Sequence, residues 1–259
     1  MNRAFATQVY WLARRSVVRT FRQPASAIPA VAFPLILLSV NTGGLHAATR
    51  LPGFPTNSFL DFALAFAFMQ GAMFSTMNAG TDLAKDIQTG FLTRLSLTPL
   101  KSSALLAGQL AGVLALGLVQ AIVYLTAGLA AGATIEAGIG GIAVLLLLSM
   151  CICIAFGTLG AFLALRTGSG EAVQGLFPLL FVLLFLSSMN MPRNLISIGW
   201  FRTIATINPV SYLIEGLRSL VIVGWDGQAL ALAFGIVAAI GLIALVSASR
   251  ALKVRLARA

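Results

Sequence analysis

The sequence has few charged residues. Only 9% of its 259 residues are Asp, Glu, Lys or Arg, whereas a soluble domain has about 25%. Hydrophobic residues make up 59% of the chain. A soluble protein of this size needs a charged surface, and this composition does not supply one. The chain is therefore predicted to be an integral membrane protein.

The residues on which catalytic and metal sites depend are also scarce. His46 is the sole histidine, and the two cysteines, Cys151 and Cys153, lie in one apolar run and point to different sides of a helix. This pattern predicts no metal site, no disulfide and no Ser/His/Asp set. A G-x-x-x-x-G-K-[ST] phosphate-binding loop is absent from the sequence. We therefore do not expect this chain to be an enzyme, to have catalytic residues or to hold a cofactor of its own.

Six uncharged runs are long enough to cross a bilayer, which takes about 20 helical residues. They cover residues 25–45, 62–81, 105–131 (within the longer run 102–135), 137–165, 172–191 and 227–249. The predicted fold is an all-α integral membrane protein with six transmembrane helices in a single domain, residues 1–259. In the third run, Gly108 and Gly112 permit a close helix approach, within one chain or across a dimer.

Basic residues are distributed unevenly around these runs. Thirteen of the 17 lie at the two termini and in the loops that follow the second and fourth runs, and the exceptions are Arg50, Arg193, Arg202 and Arg218. By the positive-inside rule both termini lie in the cytoplasm, which an even number of spans also requires. The net charge of +10 then follows from topology. Anionic lipid headgroups are the expected partners of these arginines, and nucleic acid is not.

The N-terminal segment, residues 1–24, is predicted to be an amphipathic helix in the cytoplasmic membrane interface. Arg15, Arg19 and Arg22 repeat at helical spacing, and apolar residues repeat on another face. The alternative is a secretory signal peptide with residues 28–40 as its apolar core. Its basic region would be unusually long and its cleavage site poor.

A short polar segment, residues 82–101, separates the second and third runs. It is poorly suited to crossing a bilayer and typical of a short amphipathic helix at the membrane surface, with Gly90 as its entry hinge and Pro99 as its end. Periodicity alone leaves two uses for its apolar face open, a groove in a protein partner or the lipid surface. The residues that share this face are Phe91, Leu92 and Leu95.

Charged residues flank this short helix. Asp82, Lys85 and Asp86 are expected to be solvated, with a local ion pair among them. Arg94 is expected to reach a carboxylate on a partner or a phospholipid headgroup. None of these residues is expected to have a catalytic role.

Residues 192–226 are predicted to lie outside the membrane core on the extracellular side. A seventh span here would contain ionised residues that cost roughly 2.5–3.5 kcal/mol each at mid-bilayer, and it would place the basic C-terminus outside. Asn208 is predicted to cap a short helix, with Pro209 in its first turn. Glu215 and Arg218, at i and i+3, are expected to pair on one face of it. An ordinary outer loop is the alternative.

Two motifs carry a resemblance to a known family. The segment Asp86-Ile87-Gln88-Thr89-Gly90-Phe91-Leu92-Thr93-Arg94-Leu95-Ser96-Leu97-Thr98-Pro99 resembles the cytoplasmic coupling loop of ABC-2 type permeases, the membrane subunits of one class of ABC transporters. The segment Asn208-Pro209-Val210-Ser211-Tyr212-Leu213-Ile214-Glu215-Gly216-Leu217-Arg218 resembles the signature before that family's last span. Both occur in the expected order, and the loop is most similar to the drug-resistance (daunorubicin-type) branch.

The resemblance implies a role for each motif. It implies that the coupling segment binds an ATPase through Asp86, Gly90, Phe91, Leu92, Arg94, Leu95 and Pro99. It also implies that the outer segment forms short helices that enter the outer leaflet without crossing, around Asn208, Pro209, Tyr212, Glu215 and Arg218.

The resemblance further implies partners and a function. The expected partners are a cognate ABC ATPase that carries ATP and Mg²⁺, a second permease copy or homologue, membrane lipids and a hydrophobic or amphipathic substrate. The expected function is export of a drug-like molecule or lipid across a bacterial cell membrane, as in antibiotic resistance. The alternative is a self-sufficient channel or carrier without an ATPase.

Overall fold

The computed structural model describes residues 3–98 and 101–256, and this part of the chain consists of helices and their connections, without β-strands. Short 3-10 helices occur at His46–Arg50 and Arg193–Leu195. The ten α-helices are α1 (Arg3–Phe21), α2 (Pro24–Gly44), α3 (Phe59–Gln88), α4 (Phe91–Ser96), α5 (Ser102–Ala130), α6 (Gly138–Thr167), α7 (Gly170–Phe185), α8 (Gly199–Ile207), α9 (Pro209–Ile222) and α10 (Gly227–Leu256).

Five of these helices, α2, α3, α5, α6 and α10, are long and apolar enough to cross a membrane. The predicted run 172–191 is helical only as far as Phe185, in α7. With 16 residues, α7 is about 24 Å long, which is less than the roughly 30 Å of a hydrocarbon core. The all-helical membrane fold is confirmed, whereas the count of six spans and the side on which the termini lie stay predictions.

The helix α3 lies at the centre of the bundle. In the most apolar stretch of α3, 89% of the residues are buried, compared with 17% in that of α2 and 22% in that of α10. It packs against α2, α5, α6, α7 and α9. The α3 and α6 backbones come into direct contact at Gly160, where a methyl group would overlap the carbonyl oxygen of Thr76. The outer faces of α2 and α10 therefore remain as apolar surfaces for lipid or another chain.

The predicted N-terminal helix is present as α1, and it packs along α5. The contact lies at Gly108 and Gly112, the small-residue pair of the third apolar run, now part of α5. A side chain at Gly108 would overlap Leu12, and one at Gly112 would overlap the Ser16 hydroxyl oxygen. The Ser16 hydroxyl donates to the carbonyl of Gln109 at 3.2 Å. Within the chain, this glycine pair thus serves to dock α1 on the bundle.

The outer segment forms α8 and α9, which have nine and 14 residues and are too short to cross a membrane. The predicted helix start at Asn208 and Pro209 is confirmed. Most of α9 is buried against α3, α6, α7 and α10. Its last carbonyls, of Leu220 and Val221, accept hydrogen bonds from the backbone of the α5–α6 turn. The segment is therefore a packed part of the bundle and not an ordinary loop.

Candidate functional site

The coupling segment contains a one-and-a-half-turn helix with a sharp entry. Gly90 adopts φ 69°, in the left-handed region that glycine enters without a Cβ penalty, and α4 begins at the next residue. This conformation reverses the chain direction after the 30-residue helix α3. The predicted hinge at Gly90 is therefore present. The predicted end at Pro99 lies outside the described residues.

The apolar face of α4 packs against the rest of the same chain. Leu92 is 4% exposed and belongs to a buried cluster with Leu83, Leu165 and Leu252 from α3, α6 and α10. Leu95 packs against this cluster. Leu92 is therefore taken up by the chain's own bundle, whereas Phe91 and Leu95 are half-buried, so an ATPase contact through this face stays a prediction. The intramolecular packing of α4 fixes its orientation.

A different surface of the segment points outward. Leu97 is 84% exposed, and Thr93, Arg94 and Thr98 are exposed as well. Arg94 donates to the carbonyl of Thr89 at 3.3 Å. We call the residues Thr93, Arg94, Leu97 and Thr98 the coupling tip. Leu97 is the apolar residue of the coupling tip, and polar residues surround it.

Asp86 is buried and holds two arginines, which corrects the expectation that it is solvated. Its carboxylate accepts two hydrogen bonds from Arg15, at 2.9 and 2.7 Å, and one from Arg19 at 2.7 Å. Its side chain is only 7% exposed. Arg19 also pairs with Asp82 at 3.2 Å and donates to the Asp82 carbonyl. These residues link α1 to the end of α3, and we call Arg15, Arg19, Asp82 and Asp86 the charge cluster.

The charge cluster also reaches α4. The Arg15 guanidinium lies over the Phe91 ring, 3.8 Å from its centroid. Such a cation–π contact contributes about 0.5–2 kcal/mol. The hydrogen bond with Asp86 raises the pKa of Arg15 above its ordinary value. Arg15 therefore stays charged at every physiological pH and connects α1, α3 and α4 at one point.

Sequence reasoning missed the charge cluster, although a signal was present. Arg15 and Arg19 are spaced at i and i+4, and so are Asp82 and Asp86. Two helix faces with the same spacing and opposite charge can pair at two points. Nothing local indicates that residues more than 60 positions apart meet, so the pairing needed the packing of α1 on the bundle.

At the opposite end, Asn208 joins two helices. Its Oδ1 accepts the backbone N–H of Val210 at 3.0 Å, which caps α9. Its amide Nδ2 donates to the carbonyls of Leu183, at 2.6 Å, and Leu186, at 3.1 Å, at the end of α7. Tyr212 donates to the Thr206 carbonyl at 2.8 Å and so holds α8 against α9.

The expected pair of Glu215 with Arg218 is replaced by other partners. Glu215 forms its ion pair with Arg193, which lies over the Tyr212 ring at 4.4 Å from its centroid. The guanidinium of Arg218 points into the bundle, where it is 5% exposed and lies over the Phe62 ring. It donates to three backbone carbonyls, those of Phe62 at 3.1 Å, Ser188 at 3.0 Å and Met189 at 2.9 Å. The unpaired carbonyls after α7 attract Arg218 inward, away from Glu215.

The two ends of the molecule each contain an open cavity. The outer one, about 550 Å³, lies beside the Arg193–Glu215 pair and between α8, α9 and the start of α10. The other, about 880 Å³, lies behind α4. The described residues contain no cluster of three or more His, Cys, Asp or Glu side chains that could bind a metal ion. The two cysteines are free thiols.

Comparison with known proteins assigns these features to a family. Residues 7–222 match the family model described as ABC-2 type transporter. The chain is 30% identical over 228 residues to the daunorubicin resistance ABC transporter permease protein DrrB1 of Streptomyces coeruleorubidus, which covers 83% of this chain and 76% of that protein. It is 27% identical over 212 residues to the transport permease ycf38 of Porphyra purpurea, across 80% of this chain and 71% of the relative.

A second ycf38 permease, from Cyanophora paradoxa, is 25% identical over 218 residues, across 83% of this chain and 74% of the relative. The family match includes α4, the charge cluster and the outer helices α8 and α9 in one continuous region. The chain is a multi-pass membrane protein that belongs to the ABC-2 type transporter family, and it is similar to a daunorubicin resistance permease.

Proposed function

We propose that this chain is the membrane subunit of an ATP-driven exporter and that a separate ABC ATPase binds its coupling tip. One observation carries the proposal. The helix α4 is fixed to the bundle by Leu92 on one side and by Phe91 under Arg15 on the other, while Leu97 is 84% exposed. A surface helix that is held rigidly and presents one apolar side chain outward is suited to receive force from a partner.

ATP and Mg²⁺ belong to the proposed partner. The chain contains no phosphate-binding loop, so hydrolysis requires a second polypeptide. Closure of the ATPase pair would press on the coupling tip. The force would pass through Leu92 into the cluster with α3, α6 and α10, and through Arg15 into α1. Because α3 is the central helix, its displacement would move the whole bundle.

The proposed topology places both termini in the cytoplasm of a bacterial cell, with α7 as the sixth span. Its shortness is offset by α9, which packs into the outer part of the bundle, and α8 lies against α9. Asn208 holds the last carbonyls of α7, so its backbone polar groups are satisfied where the helix stops. Both features support a sixth span that ends below the outer surface.

The proposed assembly contains two permeases and two ATPases. The support is the large unburied apolar surface of α2 and α7, which a second copy or homologue can cover. A row of phenylalanines lies on this surface, with ring centroids 4.7–6.1 Å apart. An aromatic row in a membrane favours a hydrophobic or amphipathic substrate, a drug-like molecule or a lipid. The row consists of Phe33, Phe74, Phe177, Phe181 and Phe185.

The test is co-purification of the ATPase from solubilised native membranes, with Leu97→Asp as the variant. The matched control is Ile139→Asp, which places the same charge on an 89% exposed residue at the far end of the bundle. We expect wild type and Ile139→Asp to co-purify with an ATPase that has a phosphate-binding loop. Leu97→Asp should lose at least nine-tenths of the co-purified ATPase and of the ATP-dependent export.

The rival function is a channel or carrier that needs no ATPase. The same preparation tests it, because substrate flux in reconstituted vesicles is measured with and without ATP. Flux at full rate without ATP, from a permease that purifies alone under gentle conditions, would contradict the proposed exporter. Unchanged ATPase recovery with Leu97→Asp would contradict the assigned contact alone.

A further inference from the structure

The cavity behind α4 has a distinct chemical character. It measures about 880 Å³ and opens between α4 and the ends of α6 and α10. Its walls include Leu92, Phe162 and Val254, and its rim carries the arginines Arg166, Arg250 and Arg255. None of the described residues that line it is acidic. The cavity thus combines apolar side chains with three arginines and carries a net positive charge.

Two of the three arginines point to solvent. Arg255 donates to the carbonyl of Leu165 at 2.7 Å, which fixes it across the ends of α10 and α6. Arg166 and Arg250 are exposed, and within the described chain neither belongs to an ion pair. Cations near helix C-termini stabilise the helix dipole, but that role requires no cavity. Lys253, in the last turn of α10, is exposed and does not line the cavity.

An exposed face of α10 leads from the cavity toward the membrane, where Ile243 and Val246 are exposed apolar residues. Ile243, Ser247, Arg250 and Val254 follow one another at i, i+4, i+7 and i+11, so they form one stripe. Ser247, Arg250 and Val254 line the cavity, and Ile243 is 66% exposed on the membrane part of the helix. A ligand with its charge at Arg250 can therefore extend an apolar chain along α10 toward the membrane.

We propose that this cavity binds an anionic phospholipid of the leaflet that faces the basic end of the bundle. The phosphate lies between Arg166 and Arg250, and one acyl chain follows the stripe of α10. Basic sites between membrane helices on the cytoplasmic side are suited to such headgroups. The apolar side chains beside the arginines, and the exposed apolar residues of α10 next to them, favour a lipid over free phosphate or an acidic protein. Since Leu92 forms part of the wall, the lipid would also support α4.

The experiment measures binding of fluorescent phosphatidylglycerol to the purified permease in phosphatidylcholine nanodiscs, without its ATPase. The test variant is the double substitution Arg166→Gln with Arg250→Gln. The control, Lys253→Gln, removes a positive charge from the same helix outside the cavity. A second pair of measurements adds inorganic phosphate or unlabelled phosphatidylglycerol as competitor. Both exposed substitutions are compatible with folding, which gel filtration checks.

We expect saturable binding that weakens about 30-fold in the double variant, from roughly 1 kcal/mol per basic residue and 1.4 kcal/mol per factor of ten. Lys253→Gln should bind within twofold of wild type, and only the unlabelled lipid should compete at low concentration. Equal loss in the control would reduce the effect to general surface charge and overturn the proposal. So would unchanged binding in the double variant, or competition by inorganic phosphate alone.

Discussion

Two regions of the molecule use arginine in opposite ways. At the end of the bundle that carries α4, Arg15 and Arg19 pair with the carboxylate of Asp86, and Arg15 is 39% exposed. At the outer end, Arg218 is buried and bonded to three backbone carbonyls. The first arrangement links three helices through contacts between side chains. The second holds a fixed corner of the backbone, so the two ends differ in the groups that arginine holds.

The largest expected effect comes from removing the outer anchor. Arg218→Leu leaves the carbonyls of Ser188 and Met189, outside any helix, without this donor, and each unsatisfied buried group costs about 1–3 kcal/mol. We expect the free energy of unfolding, measured by denaturant titration in detergent, to fall by about 3 kcal/mol or more. Arg50→Gln, an exposed arginine, is the control. A loss below about 0.5 kcal/mol would show that Arg218 does not hold this corner.

The next effect comes from breaking the charge cluster. Asp86→Asn removes the carboxylate that both arginines share, and because Arg15 is partly exposed we expect a loss of about 1–3 kcal/mol. A double-mutant cycle with Arg19→Gln should give a coupling energy of about 1–2 kcal/mol. Lys85→Gln, which removes an exposed charge next to Asp86, should change little. Simple additivity of the two variants would contradict the pairing.

A smaller effect separates the two roles of Asn208. Asn208→Ala removes both the cap of α9 and the amide donors to α7, with an expected loss of about 2 kcal/mol. Asn208→Ser keeps a capping oxygen and removes the amide donors, so it should recover about half of that loss. Thermal unfolding of both variants in the same detergent measures the difference. Identical midpoints for the two would mean that only one of the roles stabilises the fold.

The smallest effect is a difference in salt response. Raising the ionic strength from 0.1 to 1 M shortens the Debye length from about 10 to about 3 Å. We expect the destabilisation caused by Asp86→Asn to shrink in high salt, whereas that caused by Arg218→Leu should stay the same. Parallel unfolding titrations at both ionic strengths measure this. An equal response at both ends would remove the distinction between them.

Local signals in the sequence predict a large part of these regions. Gly90, Asn208 and Pro209 each act locally. Gly90 adopts a left-handed backbone conformation, Asn208 caps α9 and Pro209 has a fixed φ at its start, so these roles could be predicted without knowing the fold. The helix α1 and its arginine face follow from periodicity in the same way. Family resemblance supplied the identity of the two motifs.

What the sequence could not predict depends on contacts between distant elements. The apolar run 172–191 contains no glycine or proline near Phe185, yet α7 ends there. The carbonyls that follow are taken by Asn208 and Arg218. The helix therefore stops because of side chains more than 20 positions away. The orientation of α4 could not be predicted for the same reason. Periodicity predicted its apolar face, but it did not predict that the chain's own bundle covers Leu92 on that face.

The most direct test of the central claim is photo-cross-linking from the coupling tip. A photoreactive amino acid at position 97 is compared with the same residue at position 139, which is equally exposed at the opposite end. We predict that position 97 cross-links to an ABC ATPase in native membranes, that the yield changes when ATP is added, and that position 139 gives no such product. Labelling of lipid alone from position 97 would contradict the assignment of this surface as the ATPase contact.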